Sequence, residues 1–177
     1  LIDGKETKGL TTAQMAKRVG YIFQNPDDQI FQDSIEKEIA FGPKKHKLAA
    51  EIVQTRVHEA AEACGLQDVL QEHPYNLPYS KRKFITIAAV MAMDPEVVIL
   101  DEPTAGQDRE STELLGKLIR LLTEKKKTVI TITHDMEFVT KEFQRVLVFA
   151  EKQLQKEGTP REIFWDEELL QRSALKQ

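Results

Sequence analysis

Val97-Val98-Ile99-Leu100-Asp101-Glu102-Pro103-Thr104-Ala105-Gly106-Gln107-Asp108 is the stretch that decides the fold. Four apolar, mostly β-branched residues run without alternation into two carboxylates, after which Pro103 and Gly106 turn the chain. A continuous apolar run of this length describes a strand buried on both faces, as in a parallel sheet clad by helices. Outward from it, Val19–Phe23, Thr128–Thr133 and Arg145–Phe149 carry the same short strand signature between turn residues. Helical patterns lie between them. Lys47–Cys64 repeats Ile52, Val53, Val57, Ala60, Ala61 and Cys64 near a 3.6-residue period, and Glu110–Leu122 places Leu114, Leu115, Leu118, Ile119 and Leu122 on one stripe. Phe84–Met93 is apolar almost all round and is predicted as a buried helix. Thr11 with Gln14, and Thr159-Pro160 with Glu162, fit helix-opening capping boxes. The expected fold is α/β, a mainly parallel sheet with helices on both faces.

In such sheets the chemistry gathers at the carboxyl ends of strands. Three predicted strands end on capable residues: Phe23 leads to Gln24, Leu100 to Asp101-Glu102, and Thr133 to His134-Asp135. A carboxylate closing an apolar strand suits Mg²⁺ held through its waters. A glutamate beside it can polarise a water for attack on a γ-phosphate, a general-base role worth about 10²–10⁴ in rate.

Bulk composition narrows the classes. At 177 residues, with 41% hydrophobic and 31% charged residues, the chain has enough apolar surface for one domain core. A formal charge of −4 gives no global basic field for nucleic acid, and the runs at Lys44-Lys45-His46-Lys47 and Lys125-Lys126-Lys127 read as solvated loops. Cys64 is the single cysteine, so no internal disulfide is expected; its small apolar neighbours suggest a buried thiol. No segment approaches the roughly 18 apolar residues of a membrane span, and the first residues lack a signal-peptide pattern. Any work at a membrane is expected from its cytoplasmic face, through a partner.

Taken together, these motifs resemble the ABC ATPase family, and the resemblance covers essentially the whole chain as a single domain, residues 1–177. It implies a P-loop NTPase (RecA-like) sheet with a helical subdomain near residues 36–92. By the same resemblance, Asp101 is the Mg²⁺ carboxylate and Glu102 the catalytic base. Ala105-Gly106-Gln107-Asp108 is the D-loop that crosses to a second subunit, and His134 is the switch histidine at the γ-phosphate. Gln24 of Tyr21-Ile22-Phe23-Gln24 is the Q-loop glutamine, a contact to Mg²⁺ or the attacking water, and the loop after it meets a transmembrane partner. Asn25-Pro26-Asp27-Asp28-Gln29-Ile30-Phe31 and Ile35-Glu36-Lys37-Glu38-Ile39-Ala40-Phe41-Gly42-Pro43 resemble the energy-coupling-factor branch, importers of vitamins and metal ions. Gly158-Thr159-Pro160-Arg161-Glu162-Ile163-Phe164 is likewise similar to importer ATPases.

Two departures stand out. No Gly-x-x-x-x-Gly-Lys-[Ser/Thr] phosphate loop occurs in the 177 residues. Leu1-Ile2-Asp3-Gly4-Lys5 resembles the strand that follows that unit, so the domain is expected to be N-terminally incomplete. The signature loop, close to Leu-Ser-Gly-Gly-Gln in the family, reads Leu77-Pro78-Tyr79-Ser80-Lys81. Pro78 has no amide hydrogen and Tyr79 is bulky where backbone must approach a partner's nucleotide. Two lost charge-assisted bonds are worth about 1.5–3 kcal/mol each. Ser80 and the Lys81-Arg82-Lys83 run are expected to restore part of that contact.

The resemblance therefore implies an ATP- and Mg²⁺-using subunit that energises an importer. Its expected partners are a second ATPase subunit, itself or a paralogue with an intact signature loop, and transmembrane subunits met through the Q-loop region. A non-catalytic ABC-like module that regulates by dimerising, and a soluble ABC ATPase of translation or repair, are the competing readings.

Overall fold

The computed structural model describes residues 1–173 except Asp3 and Lys5, so the proposed Leu1–Lys5 strand falls partly outside the described residues. The backbone gathers into two compact units, Leu1–Ile132 and Thr133–Gln177.

In the first unit, a short turn of helix, α1 (Thr12–Met15), opens on the capping box at Thr11 and Gln14 and leads into β1 (Val19–Ile22). Three helices follow: α2 (Ile35–Lys45), α3 (Ala50–Ala63) and α4 (Tyr79–Met93). They pack on one another through Ile35, Ile39 and Ala40 of α2, Val53, Val57 and Ala61 of α3, and Ile85, Ala88 and Ala92 of α4, all buried. Each fully buried Ile or Leu of this kind contributes about 1.5–3 kcal/mol. β2 (Val97–Asp101), α5 (Arg109–Glu124) and β3 (Thr128–Ile132) complete the unit.

The strands form a parallel sheet in the order β1-β2-β3, with Ile22 opposite Leu100 and Asp101 opposite Ile132. One face, carrying Gly20, Ile22, Val98 and Leu100, is buried. Gly20 is required there, because a Cβ would stand 2.3 Å from Val90 Cγ1 of α4; the strand backbone packs directly on that side chain. The other face carries Tyr21, Ile130 and Ile132, exposed by 37%, 47% and 51%. The non-alternating apolar residues suit two-sided burial, and within the described residues one side is buried.

In the second unit, α6 (Met136–Glu142) precedes β4 (Val146–Ala150), β5 (Gln153–Gly158), α7 (Pro160–Phe164) and α8 (Glu167–Arg172). Val148, Ile163 and Leu169 form its core, with Val146 and Phe164 packed against them. β4 pairs with β5 in an antiparallel hairpin. The sequence signal for β5 is weak because Gln153-Leu154-Gln155-Lys156-Glu157 is mostly polar. The turn also lacks glycine: Glu151 and Lys152 both adopt positive φ, 51° and 64°, the combination a tight hairpin usually reserves for Asn-Gly. Thr159 and Glu162 form the expected capping box at α7.

Candidate active site

The buried and open faces of the sheet decide where Asp101 stands. Alternation along β2 puts Leu100 into the core and Asp101 on the open face, the face of Tyr21, which stands opposite Ile99 on the neighbouring strand. Tyr21 donates its hydroxyl to Asp101 Oδ2 at 2.8 Å, which engages one carboxylate oxygen. That bond, then burial and the carboxylate's charge, raise the Tyr21 pKa above its ordinary value. Tyr21 was not among the candidate residues. Its parity with Asp101 is visible only once the β1-β2 register is known.

Glu102 has a φ of 42°, a left-handed conformation that costs a non-glycine residue about 1–2 kcal/mol. It is held by its own N–H, which donates to Ile132 O at 2.8 Å and extends the β2-β3 ladder one bond past the strand. The chain then turns through buried Pro103 and through Gly106, φ 71°. A Cβ at Gly106 would lie 3.5 Å from the ring of Tyr79, so the Leu77–Lys81 segment packs directly on the turn that ends at Asp108. Both polar atoms of the Gln107 side-chain amide are buried without a hydrogen-bond partner among the described residues. Asp108 caps α5 by accepting from Ser111 N at 2.7 Å. Its pKa is lowered by the Ser111 backbone and side-chain bonds, with the charge of Lys81 acting in the same direction.

The segment after β1 is braced along its length. Gln29 accepts from Phe23 N and donates to Tyr21 O, both at 3.2 Å, closing the edge of β1 as a strand would. Lys83 Nζ donates to Phe23 O at 2.9 Å and also to Gln24 O. Arg82 Nη1 donates to both carboxylate oxygens of Asp27, at 2.7 and 2.8 Å, while its guanidinium lies over the rings of Tyr75 and Tyr79. At the far end, buried Glu38 of α2 accepts from Phe31 N at 3.0 Å and Gln32 N at 2.8 Å through one oxygen. The Gln24 side chain itself is exposed.

The Lys81-Arg82-Lys83 run, expected to bring positive charge to the Leu77–Lys81 loop, divides three ways. Lys81 is exposed, Arg82 is paired with Asp27, and Lys83 is buried. The helical period explains the division: successive residues on α4 point about 100° apart. Burial draws the Lys83 pKa down to about 8, against the opposing charges of Asp101 and Glu102. Ser80 is half-buried in the first turn of α4, whose N-cap is Pro78 and has no side-chain cap.

His134 belongs to the second unit and lies in the turn that enters α6. Beside it, Asp135 N donates to Thr133 Oγ1 at 3.1 Å, and the Asp135 carboxylate caps Phe138 N at 3.0 Å. Among the described residues no three His, Cys, Asp or Glu gather as a metal cage. The donors present, the Asp101 carboxylate and the Gln24 amide oxygen at adjacent strand ends, are hard oxygens. They suit Mg²⁺, which keeps waters and substrate phosphates as ligands and needs few protein groups. Cys64 is 3% exposed and burial pushes its thiol pKa up, as its neighbours suggested.

A parallel sheet whose adjacent strand ends carry Gln24 and Asp101-Glu102, flanked by a helical layer, fits the P-loop NTPase fold. The ABC transporter family model matches residues 1–105, and the chain belongs to that family. It is 39% identical to the energy-coupling factor transporter ATP-binding protein EcfA of Methanocaldococcus jannaschii over 99% of this chain and 64% of that one. It is also 39% identical to EcfA2 of Staphylococcus saprophyticus, over 91% of this chain and 57% of that one. Among solved structures, CbiO1 of Clostridium perfringens, part of the ABC transporter complex CbiONQ, superposes with a TM-score of 0.78 at 32% identity, covering 90% of this chain and 64% of that one. The chain therefore spans less than two thirds of the length of these relatives.

Proposed function

We propose that the chain is part of an ATP-hydrolysing subunit that energises an importer of the energy-coupling-factor type, working at the cytoplasmic face of the plasma membrane. The single observation that carries the reading is the juxtaposition of Gln24 with Asp101-Glu102 on neighbouring strand ends, Asp101 held by Tyr21. In this reading Asp101 and Gln24 hold Mg²⁺, which when bound neutralises charge developing on the β- and γ-phosphate oxygens. Glu102 orients the attacking water and accepts its proton; the ladder bond to Ile132 keeps its backbone aimed. His134 contacts the γ-phosphate. Asp108, through the turn it closes, and Ser80 with Lys81, at the start of α4, face the second ATPase subunit and its nucleotide. The relatives' names support transport, and the exposed aromatic pair of Phe31 and Phe41, edge to face at 4.7 Å just past Gln24, supports a membrane-subunit contact there. No nucleic acid is required, and among the described residues no helix is long and apolar enough to cross a membrane.

The test uses the full-length protein assembled with its membrane subunits. Glu102→Gln should lower ATP turnover by about 10²-fold or more while ATP binding persists. Unchanged turnover would sink Glu102 as the base, and no turnover in the wild-type complex would favour a non-catalytic module that acts by dimerising.

Packing of Tyr79 on Gly106 favours an asymmetric pair. A ring fills the place where the family's glycines meet a partner's nucleotide, so the site that uses this loop is the slow one. Pro78→Ser with Tyr79→Gly and Ser80→Gly should raise turnover by about tenfold or more if two charge-assisted bonds return. Turnover that does not move in an active complex counts against asymmetry.

A further inference from the structure

Lys83 is the most enclosed cation among the described residues, 1% exposed, yet it lies one residue from an ordinary ion pair and two from an exposed lysine. A buried ammonium is costly unless its hydrogens are met. An apolar side chain of similar volume would fill the space without that cost, so packing alone does not call for lysine here. What lysine adds is specific. Its Nζ donates to Phe23 O and Gln24 O, the carbonyls where β1 leaves the sheet and the candidate Mg²⁺ and water ligand begins. The charges of Asp101 and Glu102, at the end of the next strand, act on it. Its helix, α4, starts at the Pro78-Tyr79-Ser80-Lys81 segment that packs on Gly106. Of the other braces, Gln29 meets Phe23 N and Tyr21 O from within the segment, Arg82 holds Asp27, and Glu38 holds Phe31 and Gln32.

We propose that Lys83 is a positioning residue of the hydrolysis site, clamping the Phe23-Gln24 backbone onto α4. The clamp sets where Gln24 stands relative to Asp101-Glu102 and makes the Gln24 segment and the helix behind residues 78–81 move together. It rests on the ATPase reading above. Because the segment stays anchored at Asp27, Phe31 and Gln32 without it, loss of the clamp should be felt near Gln24 and not across the unit.

Lys83→Met, Gln24→Ala and the double variant are compared in the full-length protein with its membrane subunits. Lys83→Met should lower kcat by about 10- to 100-fold, as expected for a misplaced ligand, with KM for ATP changed within about twofold. The double variant should be no slower than the slower single one. In nucleotide-free protein, amide exchange at Phe23, whose N–H is held by Gln29 beside Gln24, should quicken by about tenfold or more, with α3 and β2 unchanged. Multiplying kcat losses, or unchanged exchange near Gln24, overturns the clamp. If Lys83→Met does not fold, Lys83→Gln, which retains a donor, takes its place with smaller shifts in the same direction; failure of both to fold makes Lys83 a stability residue and also overturns it. If the wild-type complex hydrolyses no ATP, the functional reading fails, and the exchange comparison still decides whether Lys83 holds Gln24.

Discussion

Two turns at the carboxyl end of the same sheet are built in opposite ways. The segment 24–32 is held by charges: Lys83 on its first carbonyls, Arg82 on Asp27, and Glu38 on the amides of Phe31 and Gln32. The turn 102–108 has left-handed backbone at Glu102 and Gly106, and a buried Gln107 amide with no partner among the described residues. The first is completed within the chain, by helices α2 and α4. The second carries conformational cost and open hydrogen-bonding capacity, a pattern that clusters at reacting sites and interfaces. One sheet end therefore joins a braced segment to a turn with hydrogen-bonding capacity unmet among the described residues.

The contrast is open to attack from both sides. Glu38→Ala leaves two amides of the fixed segment without their acceptor, and should cost about 3 kcal/mol in urea unfolding, while Glu38→Gln, which keeps an acceptor, should cost about half as much. Equal losses in the two variants would mean that the carboxylate's role is packing and not bonding. On the other turn, Gly106→Ala should cost about 1 kcal/mol for the left-handed backbone alone, since the new methyl meets Tyr79 at ordinary contact distance. A loss several times larger would show that the turn is as tightly determined as segment 24–32 and would erase the contrast.

The strand ends that carry the candidate residues were legible in the sequence. Val97–Leu100 running into Asp101-Glu102 declares its own direction and its reactive end, and Thr159 with Glu162 announces a helix start. These are signals between residues close in sequence. The braces were not legible. Tyr21 meets Asp101 across 80 residues, Lys83 meets Gln24 across 59, and Arg82 meets Asp27 across 55. Lys81-Arg82-Lys83 shows the limit most sharply, since in sequence the three are equivalent cations. The hairpin strand β5 was hidden for a different reason: its polar residues carry no burial pattern, and its pairing with β4 supplies the order.

By itself the sequence determined the α/β class, the strand carrying Asp101 and Glu102, the capping of the helices at Thr11 and Thr159, and the departure at Pro78-Tyr79, because local backbone preference and hydrophobic period act over a few residues. Only the tertiary structure decided which face of the sheet Asp101 occupies, which of three adjacent cations is buried, and that Tyr79 covers Gly106. Those outcomes depend on register and on helix-to-sheet contact, where a half-turn of α4 or one residue of slip would send the same side chains elsewhere.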